Sequence, residues 1–235
     1  MNPLNILVTG TSRGIGKAIA ESFAGHRIVG HSSSGGDQTR IGCDLDDPGA
    51  AERLWAEALD RLGGRIDVLV NNAGVFEDND IAQPHGDWVA GWERTMRINL
   101  TASAELCRLA VLHFLENGGG RIVNVASRAA YRGDSPLHWH YAASKAGMIG
   151  MTKSIARGYA AENILAFAVC PGFTMTGMAE EYLASRGGDK VLADIPLGRV
   201  AGPEEVAETV RWLAADAPPS ATGTVIDVNG ASYVR

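Results

Sequence analysis

The stretch Thr9-Gly10-Thr11-Ser12-Arg13-Gly14-Ile15-Gly16 follows the apolar run Ile6-Leu7-Val8 and leads into Lys17-Ala18-Ile19-Ala20-Glu21-Ser22-Phe23-Ala24. Apolar positions 15, 19 and 23 recur every four residues, as one face of a helix requires. Strand, glycine-rich turn and helix in that order begin a βαβ unit, which restricts the chain to few architectures. Glycines at 10, 14 and 16 let the backbone pass close to a ligand without Cβ clashes. The helix N-terminus beyond them offers unpaired N–H groups and a positive dipole end, suited to a pyrophosphate. The spacing is Gly-x-x-x-Gly-x-Gly rather than Gly-x-Gly-x-x-Gly. One or two such glycines would merely tighten a turn; three within seven residues after the first strand favour a dinucleotide site.

The alternation continues along the chain. Further strands are expected at Arg27–His31, around Ile41–Leu45, and at Ile66–Asn71, Arg121–Ala126, Ile164–Val169 and Gly223–Val228. Helical patterns fall at about 48–62, 88–116, from Tyr141 to about Glu162, and at 203–214. Strands alternating with helices imply a parallel sheet covered on both faces. At 235 residues the length suits a single domain, 1–235, and 46% hydrophobic residues are ample for its core. The net charge of −6 is spread without a Lys/Arg run, which argues against nucleic acid or a membrane surface as partner. Cys43, Cys107 and Cys170 are too few and too scattered for a disulfide framework or a zinc knuckle. No signal sequence and no apolar run of membrane-spanning length is read, so the expected location is cytoplasmic.

Tyr141-Ala142-Ala143-Ser144-Lys145 carries the chemistry. On a helix, residues four apart share a face. A phenol with an ordinary pKa of about 10 is a poor base at neutral pH, and an adjacent ammonium favours the phenolate. Taken alone, this spacing more often describes a half-buried ring beside a solvated amine.

Five features agree: Thr9-Gly10-x-x-x-Gly14-Ile15-Gly16, Asn71-Asn72-Ala73-Gly74, Asn99, Ser127 and Tyr141-x-x-x-Lys145. In this order and on these elements they resemble the short-chain dehydrogenase/reductase family in its compact form. Pro171-Gly172-x-x-x-Thr176 and Gly223-x-x-Ile226-Asp227-Val228-Asn229-Gly230 are similar to it too. The resemblance implies a Rossmann-type, doubly wound parallel β-sheet in a three-layer αβα sandwich. It implies an NAD(P)-dependent oxidoreductase that moves a hydride between nicotinamide and a carbonyl or secondary alcohol. Tyr141 would be the proton donor or acceptor and Ser127 would hydrogen-bond the substrate oxygen. Lys145 would bind the nicotinamide ribose and lower the Tyr141 pKa, and Asn99 would hold a water linking Lys145 to solvent. The cofactor set it implies is Gly10, Ser12, Arg13, Gly14, Ile15, Gly16, His31, Ser32, Ser33, Asp44, Leu45, Asn72, Ala73, Gly74, Tyr141, Lys145, Pro171, Gly172, Thr174 and Thr176. No metal is expected: His138-x-His140 lacks an obvious third ligand.

The chain departs from the family pattern in two places. Ser127 and Tyr141 are 14 residues apart, one more than is common, in a loop rich in Tyr131, Arg132, Asp134, His138, Trp139 and His140. Residues 32–40 leave little room for a helix between the second and third strands. That strand ends in His31-Ser32-Ser33-Ser34 without an acid until Asp37. With Arg13 in the glycine loop, this favours NADP; the alternative is NAD, with Asp37 folding back onto the ribose.

The general resemblance is to 3-oxoacyl-[acyl-carrier-protein] reductases, so a ketone is the expected substrate, free or bound to an acyl carrier protein. The alternatives are an NAD-dependent sugar, steroid or diol dehydrogenase and, in another class, a non-catalytic NAD(P)-binding sensor or scaffold. Residues 173–198 are expected to form a substrate lid bearing Met175, Met178, Tyr182 and Leu183. The family's habit implies a homotetramer or homodimer through the helices near 100–115 and 144–160 and the C-terminal segment.

Overall fold

A computed structural model describes residues 3–175 and 192–235. Thr176, Met178, Tyr182 and Leu183 lie outside the described residues. Seven strands form one sheet: β1 (Asn5–Val8), β2 (Arg27–Ser32), β3 (Arg40–Gly42), β4 (Val68–Asn71), β5 (Gly120–Val125), β6 (Ile164–Pro171) and β7 (Val225–Val228). Their order is β3-β2-β1-β4-β5-β6-β7, and every neighbouring pair is parallel. Alternate residues of one strand serve opposite faces. Leu7, Leu69 and Ile122 pack with Leu54 and Ala58 of α2 (Ala50–Arg61) and with Leu106 and Phe114 of α4 (Ala102–Asn117). Ile6, Val8, Val70 and Val123 pack on the other face with Ile19 of α1 (Gly14–Ser22) and Val206 and Val210 of α7 (Pro203–Arg211). Helices therefore cover both faces, giving the three-layer Rossmann-type sandwich.

No helix joins β2 to β3; residues 33–39 make the whole connection. Parallel strands normally need a crossover of a dozen or more residues. Here Asp37 holds the tight return together. Its Oδ1 accepts from the Thr39 amide (2.8 Å), the Thr39 hydroxyl (2.7 Å) and the Arg40 amide (2.8 Å). Its Oδ2 takes Arg40 Nε at 3.1 Å and Nη2 at 2.8 Å. Gly35, at φ +66°, supplies the left-handed residue the turn needs. The third strand stops at Gly42, short of the expected Leu45.

The long helical stretch runs as α3 (His85–Met96), a π turn (Arg97–Thr101) and α4 without a break. Contrary to the expectation from sequence, His85–Glu116 is long and apolar enough by length and composition to cross a membrane. The reason is its packing: Ile98, Ala102, Leu106, Ala110 and Phe114 are buried, as in the core helix of a layered fold. Between β1 and β4 the strand order reverses, and the carboxyl ends of these strands open a crevice.

Candidate active site

The glycine loop leaves β1 into that crevice. Gly10 has φ +72°, and a Cβ there would lie 2.8 Å from Ala73 Cα. A Cβ on Gly16 would lie 2.0 Å from the Gly10 carbonyl oxygen, so this glycine lets α1 pack against its own loop. Arg13 precedes α1 in extended conformation without a side-chain cap, leaving the first amides of the helix open to an anion.

Three side chains brace the loop. Thr9 Oγ1 accepts from the amides of Asn72 and Ala73, each at 2.9 Å. Asn72 Nδ2 donates to the carbonyls of Thr9 (3.0 Å) and Gly10 (3.1 Å). His31 is 2% exposed beneath the loop; the Gly10 amide donates to its Nδ1 at 3.2 Å. Nε2 therefore carries the proton and donates to the Cys43 carbonyl at 2.6 Å. Burial pushes the imidazole pKa down, in keeping with this neutral form. His31 thus supports the loop from below.

Other members of the expected cofactor set divide by exposure. Ser12, Arg13, Ser33 and Asp44 are exposed, and the Arg13 guanidinium has no partner among the described residues. Ser32 turns inward, its hydroxyl donating to the carbonyls of Ser34 and Gly35 at 3.0 and 2.9 Å. Leu45 is buried in the core under α2, and Ile15 is packed against the opposite core face. Gly172 closes on β7, where a Cβ would meet Asn229 Cα at 2.8 Å, and the Thr174 hydroxyl donates to the Gly172 carbonyl at 3.2 Å. Pro171 ends β6. The open amides, the close approach at Gly10 and the exposed Arg13 and Ser33 fit a nicotinamide dinucleotide laid across the crevice.

Tyr141 and Lys145 share one face of α6 (Trp139–Tyr159). The Tyr141 hydroxyl interacts with the side chain of Ser127, whose Oγ accepts from the Ala129 amide at 3.1 Å at the start of the short α5 (Ala129–Arg132). Lys145 Nζ donates to the Val125 carbonyl at 2.9 Å and lies 5.8 Å from the centre of the Tyr141 ring. Gly74 runs past it: a Cβ there would be 3.5 Å from Nζ and 3.2 Å from Asn99 Oδ1. Asn99 sits on the π turn, where it reads the backbone of Val75: Oδ1 accepts its amide at 2.8 Å and Nδ2 donates to its carbonyl at 3.0 Å. Nδ2 also reaches Ser144 Oγ at 3.3 Å.

The electrostatics differ from the expected lowering of the phenol by the lysine. Protein packed around Tyr141 pushes its pKa up to about 12, with the Ser127 side chain opposing. Burial pushes Lys145 down to about 8. The ammonium faces a carbonyl and the side of the ring, so desolvation governs both groups. Sequence reasoning missed Thr9, Ser144 and Phe76. Thr9 and Ser144 stood inside the quoted motifs, whereas nothing in the sequence signalled that Phe76 meets Tyr141 edge-on at 4.8 Å.

Residues 10–231 match a family described as Enoyl-(Acyl carrier protein) reductase. The chain is 35% identical to 3-oxoacyl-[acyl-carrier-protein] reductase of Vibrio cholerae over 241 residues, covering 97% of this chain and 96% of that one. It is 37% identical to the protein of the same name in Synechocystis over 244 residues, covering 95% and 94%. Its fold superposes on aldohexose dehydrogenase of Thermoplasma acidophilum with TM-score 0.87 and 30% identity, covering 100% of this chain and 95% of that one. A protein of Agrobacterium tumefaciens described as a 2-deoxy-D-gluconate 3-dehydrogenase, with bound NADP, superposes with TM-score 0.87 and 29% identity, covering 100% and 98%. With the glycine loop, the Asn-Ala-Gly turn and the Ser127–Tyr141–Lys145 cluster in one crevice, the chain belongs to the short-chain dehydrogenase/reductase family and is an NAD(P)-dependent oxidoreductase.

Proposed function

We propose that this protein is an NADPH-dependent carbonyl reductase in which Tyr141 is the proton donor. The observation that carries the reading is Tyr141, whose hydroxyl interacts with the Ser127 side chain and whose burial pushes its pKa up to about 12, so that it stays protonated. A phenol that keeps its proton through the neutral range suits donation to an oxygen gaining negative charge. The dinucleotide supplies the hydride when bound. Ser127 donates to the same substrate oxygen and stabilises its growing charge. Lys145, anchored on Val125 and passing Gly74, orients the nicotinamide ribose and hands on a proton, since its pKa of about 8 lies near neutrality. Asn99 fixes the Val75 backbone, and with it the turn that flanks the ribose. The chain works as one domain; residues 176–191, most of the expected lid, lie outside the described residues.

Three features support NADP over NAD. Both Asp37 oxygens are committed to their own turn and to Arg40, so that carboxylate does not reach a ribose. Arg13 and Ser33 are exposed at the end of the crevice where a 2′-phosphate would lie. The Agrobacterium structure holds NADP. The carrier-bound 3-oxoacyl thioesters in the names of its relatives are the first substrates to offer it. A homotetramer or homodimer in the cytoplasm completes the proposal, supported by Leu112 and Leu115, 48% and 45% exposed on α4.

Titration of nicotinamide fluorescence tests the cofactor assignment. NADPH is expected to bind about tenfold tighter than NADH, and Arg13→Ala to remove most of that difference. Tighter binding of NADH, or an equal loss for both nucleotides, would overturn it.

A further inference from the structure

Rings line the way to Tyr141. Trp88 and Trp92 of α3 stack at 5.5 Å, Trp92 and His140 at 6.5 Å, and His140 and His138 at 6.3 Å. His138 lies flat on Phe76, centroids 3.8 Å apart with an interplanar angle of 1°. Phe76 then meets the Tyr141 ring edge-on at 4.8 Å and 84°.

Phe76 is held as well as placed. His138 is 6% exposed; its Nδ1 is hydrogen-bonded to Ser135 Oγ at 2.6 Å, and its Nε2 lies 3.2 Å from Asp78 Oδ1. The Asn79 amide donates to the Leu137 carbonyl at 3.0 Å, tying the segment after β4 to the loop before Tyr141. One face of Phe76 is thus covered by a fixed imidazole, yet the residue stays 51% exposed. Phe76 thus presents an open aromatic surface at the Tyr141 ring. Two residues upstream, Gly74 passes within reach of Lys145, so Phe76 lies where the chain leaves the crevice toward substrate.

We propose that Phe76, backed by His138, is the specificity-determining wall of the substrate site, and that the substrate carries a planar aromatic group on its carbonyl carbon. This rests on the carbonyl-reductase reading. A flat ring gains from edge or offset-stacked contact with a fixed aromatic face, whereas a saturated chain gains only from its area. Asp78 beside it, 72% exposed, favours a substituent without negative charge, whereas Glu77 is paired with Arg94 Nε at 3.3 Å. His138 is a positioning residue here: it acts by holding Phe76.

The test compares two 3-oxo esters that differ only in the group on the ketone, ethyl benzoylacetate and ethyl 3-oxohexanoate. The wild type is expected to favour ethyl benzoylacetate by about tenfold in kcat/KM. Phe76→Leu should bring that ratio close to one. His138→Leu should raise KM for ethyl benzoylacetate with a smaller change in kcat. Calorimetric binding of both esters to NADPH-loaded Tyr141→Phe gives the same comparison without turnover. Preference for ethyl 3-oxohexanoate, or a ratio unmoved by Phe76→Leu, overturns the aromatic wall and leaves the reductase reading intact. Unequal binding that Phe76→Leu erases, with neither ester reduced by the wild type, upholds the wall and counts against the reductase reading.

Discussion

Lys145 shows what the active cluster costs the fold. Its ammonium is 4% exposed and pays for that burial with a pKa near 8. Below that value the folded state carries a desolvated charge that the unfolded chain keeps in water. Between about 8 and the ordinary 10.5 the unfolded chain binds more protons than the folded one, so this residue makes stability rise with pH. Lys145→Met should therefore stabilise the protein by about 2 kcal/mol at pH 7 while abolishing turnover. The gain should shrink by pH 10, where the folded wild type has released the proton. Urea denaturation of both proteins at the two pH values checks it, and a gain independent of pH would remove the buried charge as its cause. Tyr141 runs the other way: its pKa near 12 keeps the phenol protonated wherever the enzyme works.

The element that organises the molecule is the glycine loop, and its support comes from three separate strands. Thr9 directly follows β1, His31 lies in β2 and Asn72 directly follows β4. His31→Leu leaves the Gly10 amide without its acceptor in a buried place. The expected cost is about 1–3 kcal/mol of stability together with weaker dinucleotide binding. His31→Asn, whose carbonyl can accept the same amide, should recover part of both. Nucleotide affinity unchanged in His31→Leu would show that the loop holds its shape without the imidazole. The loop itself was legible from sequence because glycine spacing after an apolar run states a local geometry. The role of His31 was not, because its partners Gly10 and Cys43 are 21 and 12 residues away. The missing crossover helix could be read from the shortness of residues 32–40; that Asp37 spends its carboxylate on its own turn could not, since that is decided by hydrogen-bond geometry. The long helix was visible as one stretch, but not the π turn that places Asn99 against Val75.

At the scale of the whole molecule, the reversal of strand order between β1 and β4 brings residues from five separate parts of the chain into one crevice. Gly10–Gly16, Asn72–Gly74, Asn99, Ser127 and Tyr141–Lys145 meet only because each lies at or beyond a carboxyl strand end or on a helix packed above it. The motifs revealed membership of that crevice; the aromatic wall of Phe76 and His138 depends on side-chain packing that no spacing encodes. Outward on the same α4 helix, Leu112 and Leu115 face solvent in the single chain. Replacing both by Asp should lower the mass measured by sedimentation, while an unchanged mass would place any subunit contact elsewhere. The central claim is that Tyr141 delivers the proton that accompanies hydride transfer, and Tyr141→Phe followed by rapid mixing with NADPH and a ketone tests it directly. NADPH affinity is expected within about twofold of wild type and turnover lower by about a thousandfold, because ring and burial persist and only the proton is lost. Turnover close to wild type would contradict it and place the proton donor on another residue.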